Sequence, residues 1–477
     1  MVSPPVIVWF RRDLRLADNP ALTAACRSGA PVVPVYIHDP DAEAAWAPGA
    51  ASRWWLHHSL ASLDQALAEM GSRLTFLCGD TGDILATVIK STGATAVHWN
   101  RCYEPALIER DTTLKATLKE RGIAVESHNG NLLHEPWAIR NKSGSPFKVF
   151  TPYWRHCGAL PVSAPLPIPA SLPAPRRWPK GDSLAAAELL PIINWTGGMH
   201  DAWSPGSAGA ESHLEMFLRD AFADYRSERD RPDRRGTSRL SPFLHFGEIS
   251  PRQIWHAVEH HAGKHGIPEP LWRGSQFLAE VGWREFAYHL LYHFPHTPER
   301  ALRPEFDNFA WRTNPDGLRA WQRGRTGYPI VDAGMRELWH TGWMHNRVRM
   351  IVASFLIKDL LIDWRDGAAW FWDTLVDADL AANTLGWQWT AGCGADAAPF
   401  FRIFNPVSQG EKFDPQGNYV RRWVPELKPL PDRWIHQPWN APEHVLRGVA
   451  YPGPIVSHNI ARHRALEAFQ QIKKNAA

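Results

Sequence analysis

The first 130 residues alternate between short apolar runs and helical stretches, and this alternation restricts the fold more than any other feature. Runs rich in branched and aromatic residues recur at 6–10, 31–39, 74–80, 95–101 and 124–130. Helical stretches separate them, notably 52–70 and 105–121, and Pro20 stands at the favoured first position of another helix. Strands that alternate with helices form a parallel, doubly wound sheet. The first turn lacks a GxGxxG sequence, so a dinucleotide-binding Rossmann site is not indicated.

The composition changes after residue 130. Seven prolines fall between Pro161 and Pro179, a density that a regular helix cannot accommodate, and residues 131–210 are therefore predicted to be a Pro-rich interdomain linker. From residue 211 onward the pattern is helical and rich in Trp, Phe and His. A chain of 477 residues is too long for one ordinary core. We predict an α/β domain over 1–130 and an all-α domain over 211–477.

Charge and cysteine content restrict the function and the compartment. The formal net charge is only +3, so any contact with nucleic acid has to come from a local basic patch. The 25 tryptophans either fill a large helical core or stack on planar ligands and bases. Five scattered cysteines favour reduced thiols in a cytoplasmic protein over disulfides or a cysteine zinc site. No signal-peptide pattern and no apolar run near 18 residues occur, so no membrane contact is expected.

The stretch 377–406 has the residues of a ligand-binding wall. If its start is helical, Asp379, Asn383 and Trp387 share one face, because residues four apart on a helix are neighbours. Trp389 then has to occupy a different environment. The alternative is ordinary core packing with a helix cap. Three glycines are expected to break the helix and to let the backbone approach a flat ligand: Gly386, Gly392 and Gly394.

Three further segments combine polar groups with aromatic residues. Before a helix, 225–241 offers backbone donors, hydroxyls and a cation that suit a phosphate, with an N-cap beside a solvated charge run as the alternative. In 277–286, Phe277, Glu280 and Arg284 share a helix face. A Glu–Arg pair four apart is commonly a surface ion pair worth about 0.3–0.5 kcal/mol, but flanking aromatic residues favour a pocket mouth. In 341–350 the shared face carries Asn346, Arg349 and Met350.

The stretch 377–406, which ends in PFFRIFNP, closely resembles the flavin-binding signature of the cryptochrome/photolyase family. FRRDLRLADNPAL near the N-terminus resembles the first strand and loop of that family, so the resemblance covers essentially the whole chain. It implies a helical C-terminal domain that binds FAD in its reduced form, FADH⁻. The sequence is most similar to the bacterial enzymes of this family that repair cyclobutane pyrimidine dimers in UV-damaged DNA.

The resemblance also implies which residues hold FAD. Tyr225 and the segment Thr237–Ser241 match residues that bind the pyrophosphate and ribitol, and Arg349 is expected to pair with Asp377. Asn383 is expected beside flavin N5, where Asn favours the anionic reduced flavin, whereas plant cryptochromes have Asp and insect cryptochromes Cys. The full predicted FAD set is Tyr225, Thr237, Ser238, Arg239, Leu240, Ser241, Phe277, Glu280, Arg284, Asn346, Arg349, Asp377, Asp379 and Asn383.

The implied reaction transfers an electron from photoexcited FADH⁻ to a dimer that has been flipped out of the duplex, which splits it into two pyrimidines. Glu280 and Asn346 are expected at the base edges, and Trp283 and Trp389 as aromatic walls. The predicted catalytic residues are Glu280, Trp283, Asn346, Met350, Asn383 and Trp389. The predicted DNA-binding residues are Trp283, Arg347, Trp389 and Arg402, and the predicted electron relay is Trp311, Trp364 and Trp387.

Several alternatives remain open at this stage. A blue-light signalling cryptochrome would bind FAD without repair turnover, and a nicotinamide or flavin oxidoreductase would require the glycine loop that is absent. Met350 matches the enzymes that act on cyclobutane dimers. A second, light-harvesting chromophore is expected in the sheet domain, either methenyltetrahydrofolate or 8-hydroxy-deazaflavin, although Ala106 and Leu107 replace an Asn–Glu pair that holds folate in one subgroup. No metal is predicted, despite HxxEH at His256–His260, and a monomer is expected.

Overall fold

The computed structural model describes residues 3–475 and divides into two compact units. The first unit contains the residues up to Trp195 together with Trp203–Arg219 and Ser238–Pro295. The second contains Thr196–Ala202, Asp220–Thr237 and the chain from His296 onward. These limits differ from residues 130 and 210, and the three-part division of the chain stays a prediction.

Five parallel strands form the sheet of the first unit. They are β1 (Val6–Phe10), β2 (Val32–His38), β3 (Thr75–Cys78), β4 (Ala96–Asn100) and β5 (Ala124–His128), in the order β3-β2-β1-β4-β5. Each strand coincides with a predicted apolar run to within two residues. Ile7, Val33 and Val97 are fully buried in the core of this unit, because strands of a parallel sheet are covered on both faces. The predicted doubly wound α/β fold is confirmed.

Helices make up the rest of the regular structure. The first twelve are α1 (Pro20–Arg27), α2 (Ala50–Glu69), α3 (Thr81–Thr92), α4 (Pro105–Glu120), α5 (Phe150–Gly158), α6 (Gly197–Ala202), α7 (Ser207–Asp220), α8 (Tyr225–Glu228), α9 (Ser241–His245), α10 (Pro251–Lys264), α11 (Glu269–Arg273) and α12 (Gln276–His293). The others are α13 (Pro315–Gln322), α14 (Pro329–Thr341), α15 (Asn346–Ser354), α16 (Trp364–Thr374), α17 (Leu380–Ala391), α18 (Pro406–Phe413), α19 (Asn418–Trp423), α20 (Glu443–Leu446) and α21 (His458–Asn475).

The C-terminal part of the chain is helical, as predicted. Within residues 3–475 no strand follows β5. A π-helical turn over Phe355–Asp359 continues α15. The proline-rich run over 161–180 has neither helix nor strand, as its composition predicts. None of the helices in this described range combines the length and the apolar character that a lipid bilayer crossing demands.

Candidate active site

Helix α17 supplies one wall of a recess in the second unit. Its N-cap is Asp379, whose carboxylate accepts a hydrogen bond from the backbone N–H of Ala382 at 2.9 Å, and Gly392 ends it with φ +79°. The predicted break at Gly386 is wrong, because the helix runs through that position to Ala391. Asp379 is therefore a helix cap, as in the alternative of ordinary core packing with a cap. The continuous helix also places Asn383 one turn after Asp379.

Side chains of α15, α16 and α17 enclose a recess of about 180 Å³. Six residues that the resemblance selected contribute to its lining: Asn346, Arg349, Met350, Asp377, Asn383 and Trp387. Gly386, which the sequence placed beside a flat ligand, also lines it, whereas sequence reasoning missed the rest of the wall: Ala353, Phe371, Leu375, Ala378, Ala382 and Thr390. These small and apolar residues have no distinctive chemistry in the sequence, and only helix packing brings them to the recess.

The predicted ion pair between Arg349 and Asp377 is present. An Arg349 guanidinium nitrogen lies 2.8 Å from one carboxylate oxygen of Asp377 and 3.1 Å from the other. Arg349 Nε also donates to the carbonyl of Met344 at 2.7 Å. The Asp377 side chain is only 2% exposed, so its charge depends on this partner. The pair fixes a cation and an anion at the polar end of a largely apolar recess.

Asn383 presents a hydrogen-bond acceptor to the recess. Its side-chain nitrogen donates to the carbonyl of Ala368 on α16 at 3.1 Å, which leaves the side-chain oxygen as the group that can accept from a ligand N–H. One turn on, a Cβ added at Gly386 would meet no atom within 4 Å. A flat ring with apolar edges and one N–H fits this combination, and the ring system of reduced flavin has both.

Trp387 connects the recess to a buried aromatic group. Its indole packs edge-on against Phe371 at 5.0 Å and against Trp321 at 6.2 Å between ring centroids. On α16, a Cβ added at Gly367 would fall on the Trp387 ring, so the close approach of α16 and α17 depends on that glycine. Trp321 is fully buried, and sequence reasoning missed it.

The other two predicted relay tryptophans also lie in the second unit. Trp364 is buried at the first position of α16. Trp311 is half-buried and packs against Phe309 at 4.2 Å between ring centroids. Trp311 is thus more exposed than Trp364. Their role in electron transfer remains a prediction from the resemblance.

The two predicted phosphate contacts differ in their surroundings. Arg347 forms a bidentate ion pair with Asp230 at 2.8 and 3.2 Å, and its guanidinium lies over the Phe413 ring. Arg402 is exposed. Its carbonyl accepts from Lys358 at 3.0 Å, and burial lowers the pKa of this lysine to about 7. Arg402 is therefore available to an external anion, whereas Arg347 already holds a carboxylate.

The segment 225–241 is divided between the units, and each part is described by itself. In the second unit Tyr225 is buried on α8, and a Cβ at Gly236 would lie 2.8 Å from the carbonyl oxygen of Glu228, so the chain needs glycine there. In the first unit Arg239 has φ +54° and α9 begins at Ser241, which confirms a helix start after the polar run. Thr237, Ser238 and Leu240 complete the segment.

Helix α12 in the first unit carries the predicted lesion-binding residues. Phe277 packs on Phe217 at 4.4 Å, and Trp283 stacks on Phe150 at 3.9 Å with planes 10° apart. Arg284 donates to the carbonyl of Asn131 at 2.8 Å and to that of Leu244 at 3.4 Å, and its guanidinium lies 3.7 Å from the carboxylate of Glu285. Glu280 accepts from Gln276 at 2.8 Å. The two carbonyl acceptors of Arg284 lie far from it in the sequence, so a local sequence pattern could not predict them.

Two histidine groups bear on metal binding. His256 of the HxxEH sequence has its ring nitrogens beside Glu259 at 2.7 Å and the carbonyl of Ser163 at 3.1 Å. On β4 and β5, His98 and His128 face each other with 3.4 Å between ring nitrogens. Burial, with His98 as a neighbouring charge, lowers the pKa of His128 to about 4. Glu126, whose carboxylate lies 3.8 Å from a ring nitrogen of each histidine, raises the pKa of His128, while Arg101 and Lys115 lower it.

Two family profiles match the chain. The profile described as DNA photolyase matches residues 6–174, and the FAD binding domain of DNA photolyase matches residues 277–471. The chain is 51% identical to the deoxyribodipyrimidine photo-lyase of Agrobacterium fabrum, over 99% of both sequences. It is 42% identical to cryptochrome-1 of Arabidopsis thaliana, over 98% of this chain and 70% of that protein.

A solved structure agrees with the fold. The crystal structure of a bacterial class III photolyase from Agrobacterium tumefaciens superposes with a TM-score of 0.95. It is 51% identical in sequence, and the match covers 99% of this chain and 98% of that one. The likeness therefore extends over both the sheet-containing and the helical parts of the chain.

Proposed function

Because this chain belongs to the photolyase/cryptochrome family, we propose that it is a light-dependent DNA repair enzyme, a deoxyribodipyrimidine photo-lyase. The substrate is a cyclobutane pyrimidine dimer in UV-damaged DNA. The observation that carries the proposal is the recess in the second unit. Its lining includes the Arg349–Asp377 ion pair and Asn383, whose side-chain nitrogen donates to the carbonyl of Ala368.

The cofactor is FAD, and the recess residues have the properties that its flavin ring requires. Asn383 offers an acceptor for a ring N–H, Arg349 a cation for an anionic ring, and Met350 and Leu375 apolar contacts. When bound, the reduced and photoexcited flavin supplies the single electron that makes both bonds of the dimer labile. The protein positions the ring, keeps water from it and holds the damaged bases.

Other predicted residues keep the roles that the resemblance implies. Tyr225 and Thr237–Ser241 hold the pyrophosphate and ribitol, and Asp379 keeps α17 in place through its cap. Glu280 and Asn346 bind base edges, and Trp283 and Trp389 stack on the dimer, where aromatic stacking contributes about 1–3 kcal/mol per base. Arg402 binds a phosphate, and Arg347 does so by exchanging Asp230 for the nucleic acid, so affinity falls as salt rises.

Compartment and assembly complete the proposal. All five cysteines are free thiols, which suits the reducing cytoplasm. We propose that the protein acts as a monomer.

A blue-light signalling cryptochrome is the competing function, favoured by the 42% identity to cryptochrome-1 of Arabidopsis thaliana. Asn383 is the residue that argues against it, because plant cryptochromes have Asp at the matching position. A repair enzyme and a signalling cryptochrome would both bind FAD, but only the repair enzyme would split dimers over repeated turnovers.

The test is repair of a defined substrate. Reduced protein is mixed with oligothymidine that contains cyclobutane dimers and is illuminated with blue light, while absorbance at the thymine band is followed. We expect the absorbance to recover over many turnovers in the light and to stay constant in the dark. A protein that holds flavin yet restores no thymine absorbance would be a photoreceptor, and the proposal would be wrong.

A further inference from the structure

Three side chains that can hold a metal ion meet at the edge of the sheet in the first unit. β5 is an edge strand and pairs in parallel with β4, so that His98 lies opposite Glu126. Side chains two residues apart in a strand point to the same face. His98, Glu126 and His128 therefore share one face, while the neighbouring Val97 and Val125 fill the core on the other. Sequence reasoning missed this group, because only strand pairing brings His98 close to His128, 30 positions away.

The three donor atoms form an almost equilateral triangle. His98 Nδ1 and His128 Nε2 are 3.4 Å apart, and one carboxylate oxygen of Glu126 lies 3.8 Å from each of them. The point equidistant from three atoms at these separations is about 2.1 Å from each, which is the length of a Zn–N or Zn–O bond. The separations therefore suit an ion of this size without a shift of the backbone.

The alternative for the two rings is one shared proton, with one ring as the donor. Their nitrogens are 3.4 Å apart, which is longer than the about 2.7–3.2 Å that is typical of N–H···O hydrogen bonds in proteins. Two nitrogens bound to one tetrahedral zinc ion are about 3.3–3.4 Å apart, given the usual Zn–N bond length. The observed spacing therefore favours a shared metal ion over a shared proton.

Both rings are in the form that binds metals at neutral pH. Burial lowers the pKa of His98 below its ordinary value, and burial together with neighbouring charges lowers the pKa of His128 to about 4. The two imidazoles are therefore uncharged at pH 7, and each has a lone pair for a metal. Glu126 supplies the carboxylate, and because its side chain is 62% exposed, an ion can enter from the solvent.

Two cations near the site have partners of their own. Arg101 donates two hydrogen bonds to one carboxylate oxygen of Glu135, at 2.6 and 3.1 Å. Lys115 of α4 donates to the hydroxyl of Ser127 at 3.1 Å, and Ser127 faces away from the three metal-binding side chains because strand side chains alternate between faces. The positive charge of these groups lowers the affinity for a metal ion but does not block the donor atoms.

We propose that His98, Glu126 and His128 bind one divalent transition-metal ion, with Zn²⁺ as the best match. Two imidazoles and one carboxylate suit zinc and its neighbours in the first transition row, whereas Mg²⁺ and Ca²⁺ prefer oxygen ligands. Three protein ligands leave the fourth position of a tetrahedral site open to solvent. The bound ion joins the edge strand β5 to β4. This inference is independent of the proposed function, because the FAD recess lies in the other unit.

The experiment measures binding of Zn²⁺ to the full-length protein carrying FAD, in competition with a chromophoric chelator, after EDTA has removed any metal already bound. Glu126→Gln removes the carboxylate charge and keeps the shape, and His128→Ala removes one imidazole. The matched controls are Glu120→Gln, at the exposed end of α4, and His265→Ala. His265 stacks on His261 with ring centroids 4.2 Å apart, so this second histidine pair reports adventitious binding.

We expect the wild type to bind one Zn²⁺ per chain. Affinity should fall about tenfold or more in Glu126→Gln and in His128→Ala, since even groups that only contact the ligands contribute about 10–100-fold to metal affinity. Both controls should keep the affinity of the wild type. Saturating Zn²⁺ should also raise the Tm of the wild type and not that of Glu126→Gln, because an ion that binds only the folded state stabilises it.

Three outcomes would overturn the inference. They are a wild type that takes no Zn²⁺ from the chelator, wild-type affinity in both Glu126→Gln and His128→Ala, and loss of binding in His265→Ala alone, which would make the ion adventitious. Far-UV circular dichroism separates lost binding from lost folding, and Glu126→Gln decides the matter if His128→Ala does not fold. Wild-type protein that binds Zn²⁺ but repairs no dimers would contradict the proposed function and leave the metal site intact.

Discussion

Asn383 uses only half of its side-chain amide on the protein. Its nitrogen is committed to the carbonyl of Ala368, so its orientation in the recess is set before any ligand binds. A carboxylate at this position would face that carbonyl without a proton to donate and would place a negative charge beside an anionic ring. We therefore expect Asn at position 383 to favour the anionic reduced flavin, and Asp at the same position to disfavour it.

Replacing Asn383 by Asp tests this role. We expect repair to slow by about tenfold or more, because a carboxylate places a second negative charge beside an anionic ring and like charges about 4 Å apart repel by about 1–4 kcal/mol. We also expect the absorption spectrum of the bound flavin to change under reducing conditions. Steady-state repair and spectra measure both effects. Asn314→Asp is the control, because Asn314 caps α13 with its side-chain oxygen and Asp caps equally well. If Asn383→Asp had the spectra and the turnover of the wild type, Asn383 would not have the proposed role in setting the charge state of the flavin.

The Arg349–Asp377 pair is the second residue-scale determinant. Arg349→Met leaves an almost fully buried carboxylate without its cation, and we expect a loss of about 3 kcal/mol in the free energy of unfolding. Chemical denaturation measures it. In Arg319→Met, whose partner Asp316 is 94% exposed on its side chain, the change should stay within about 0.5 kcal/mol. Equal losses in the two variants would mean that the buried pair has no special role.

At the scale of helices, one glycine is required for helix packing and another borders the recess. Gly367 of α16 lies against the Trp387 ring, whereas Gly386 of α17 faces open space in the recess. We expect Gly367→Ala to destabilise the protein by about 1–3 kcal/mol through overpacking. Gly386→Ala should stabilise the helix by about 0.5–1 kcal/mol and yet weaken FAD uptake, because the methyl group occupies the recess.

Thermal unfolding and FAD titration of the two glycine variants separate these effects. The opposite signs of stability and uptake in Gly386→Ala are the informative result. If Gly386→Ala took up FAD as the wild type does, the flavin ring would not lie against α17 at this position.

The predicted tryptophan relay draws on residues from several elements. Replacing Trp311 by Phe should block photoreduction of oxidised flavin and leave repair by chemically reduced protein nearly intact, because the relay supplies electrons only to the oxidised cofactor. Flash absorption spectroscopy measures the first and the thymine assay the second. Trp321→Phe is the informative comparison, since Trp321 also contacts Trp387. Photoreduction that survives Trp311→Phe but fails in Trp321→Phe would move the path to Trp321.

Local sequence patterns were sufficient to predict the elements that depend on contacts between neighbouring residues. Each strand of the sheet is a short apolar run between helices, and each was predicted to within two residues. The helix start at Ser241 was also visible in the sequence. Gly386 misled because glycine is a weak signal for a break: burial on the other faces of α17 keeps the helix intact through it.

Long-range contacts were out of reach of those patterns. Arg284 donates to a carbonyl 153 residues away, and Trp283 stacks on Phe150 from another helix. Only the resemblance to a family gathered the recess residues before the structure did.

For the molecule as a whole, the second unit holds the recess that we propose as the FAD site. The first unit contributes the parallel sheet and helix α12 with its aromatic stack.

The central claim is that the recess in the second unit holds FAD, and cofactor uptake tests it most directly. Wild-type protein stripped of cofactor is titrated with FAD, and the bound flavin is measured by absorbance after gel filtration. We predict one FAD per chain, with uptake weakened in Gly386→Ala and unaffected in Asn314→Asp. A stripped protein that stays folded but remains colourless at saturating FAD would contradict the account.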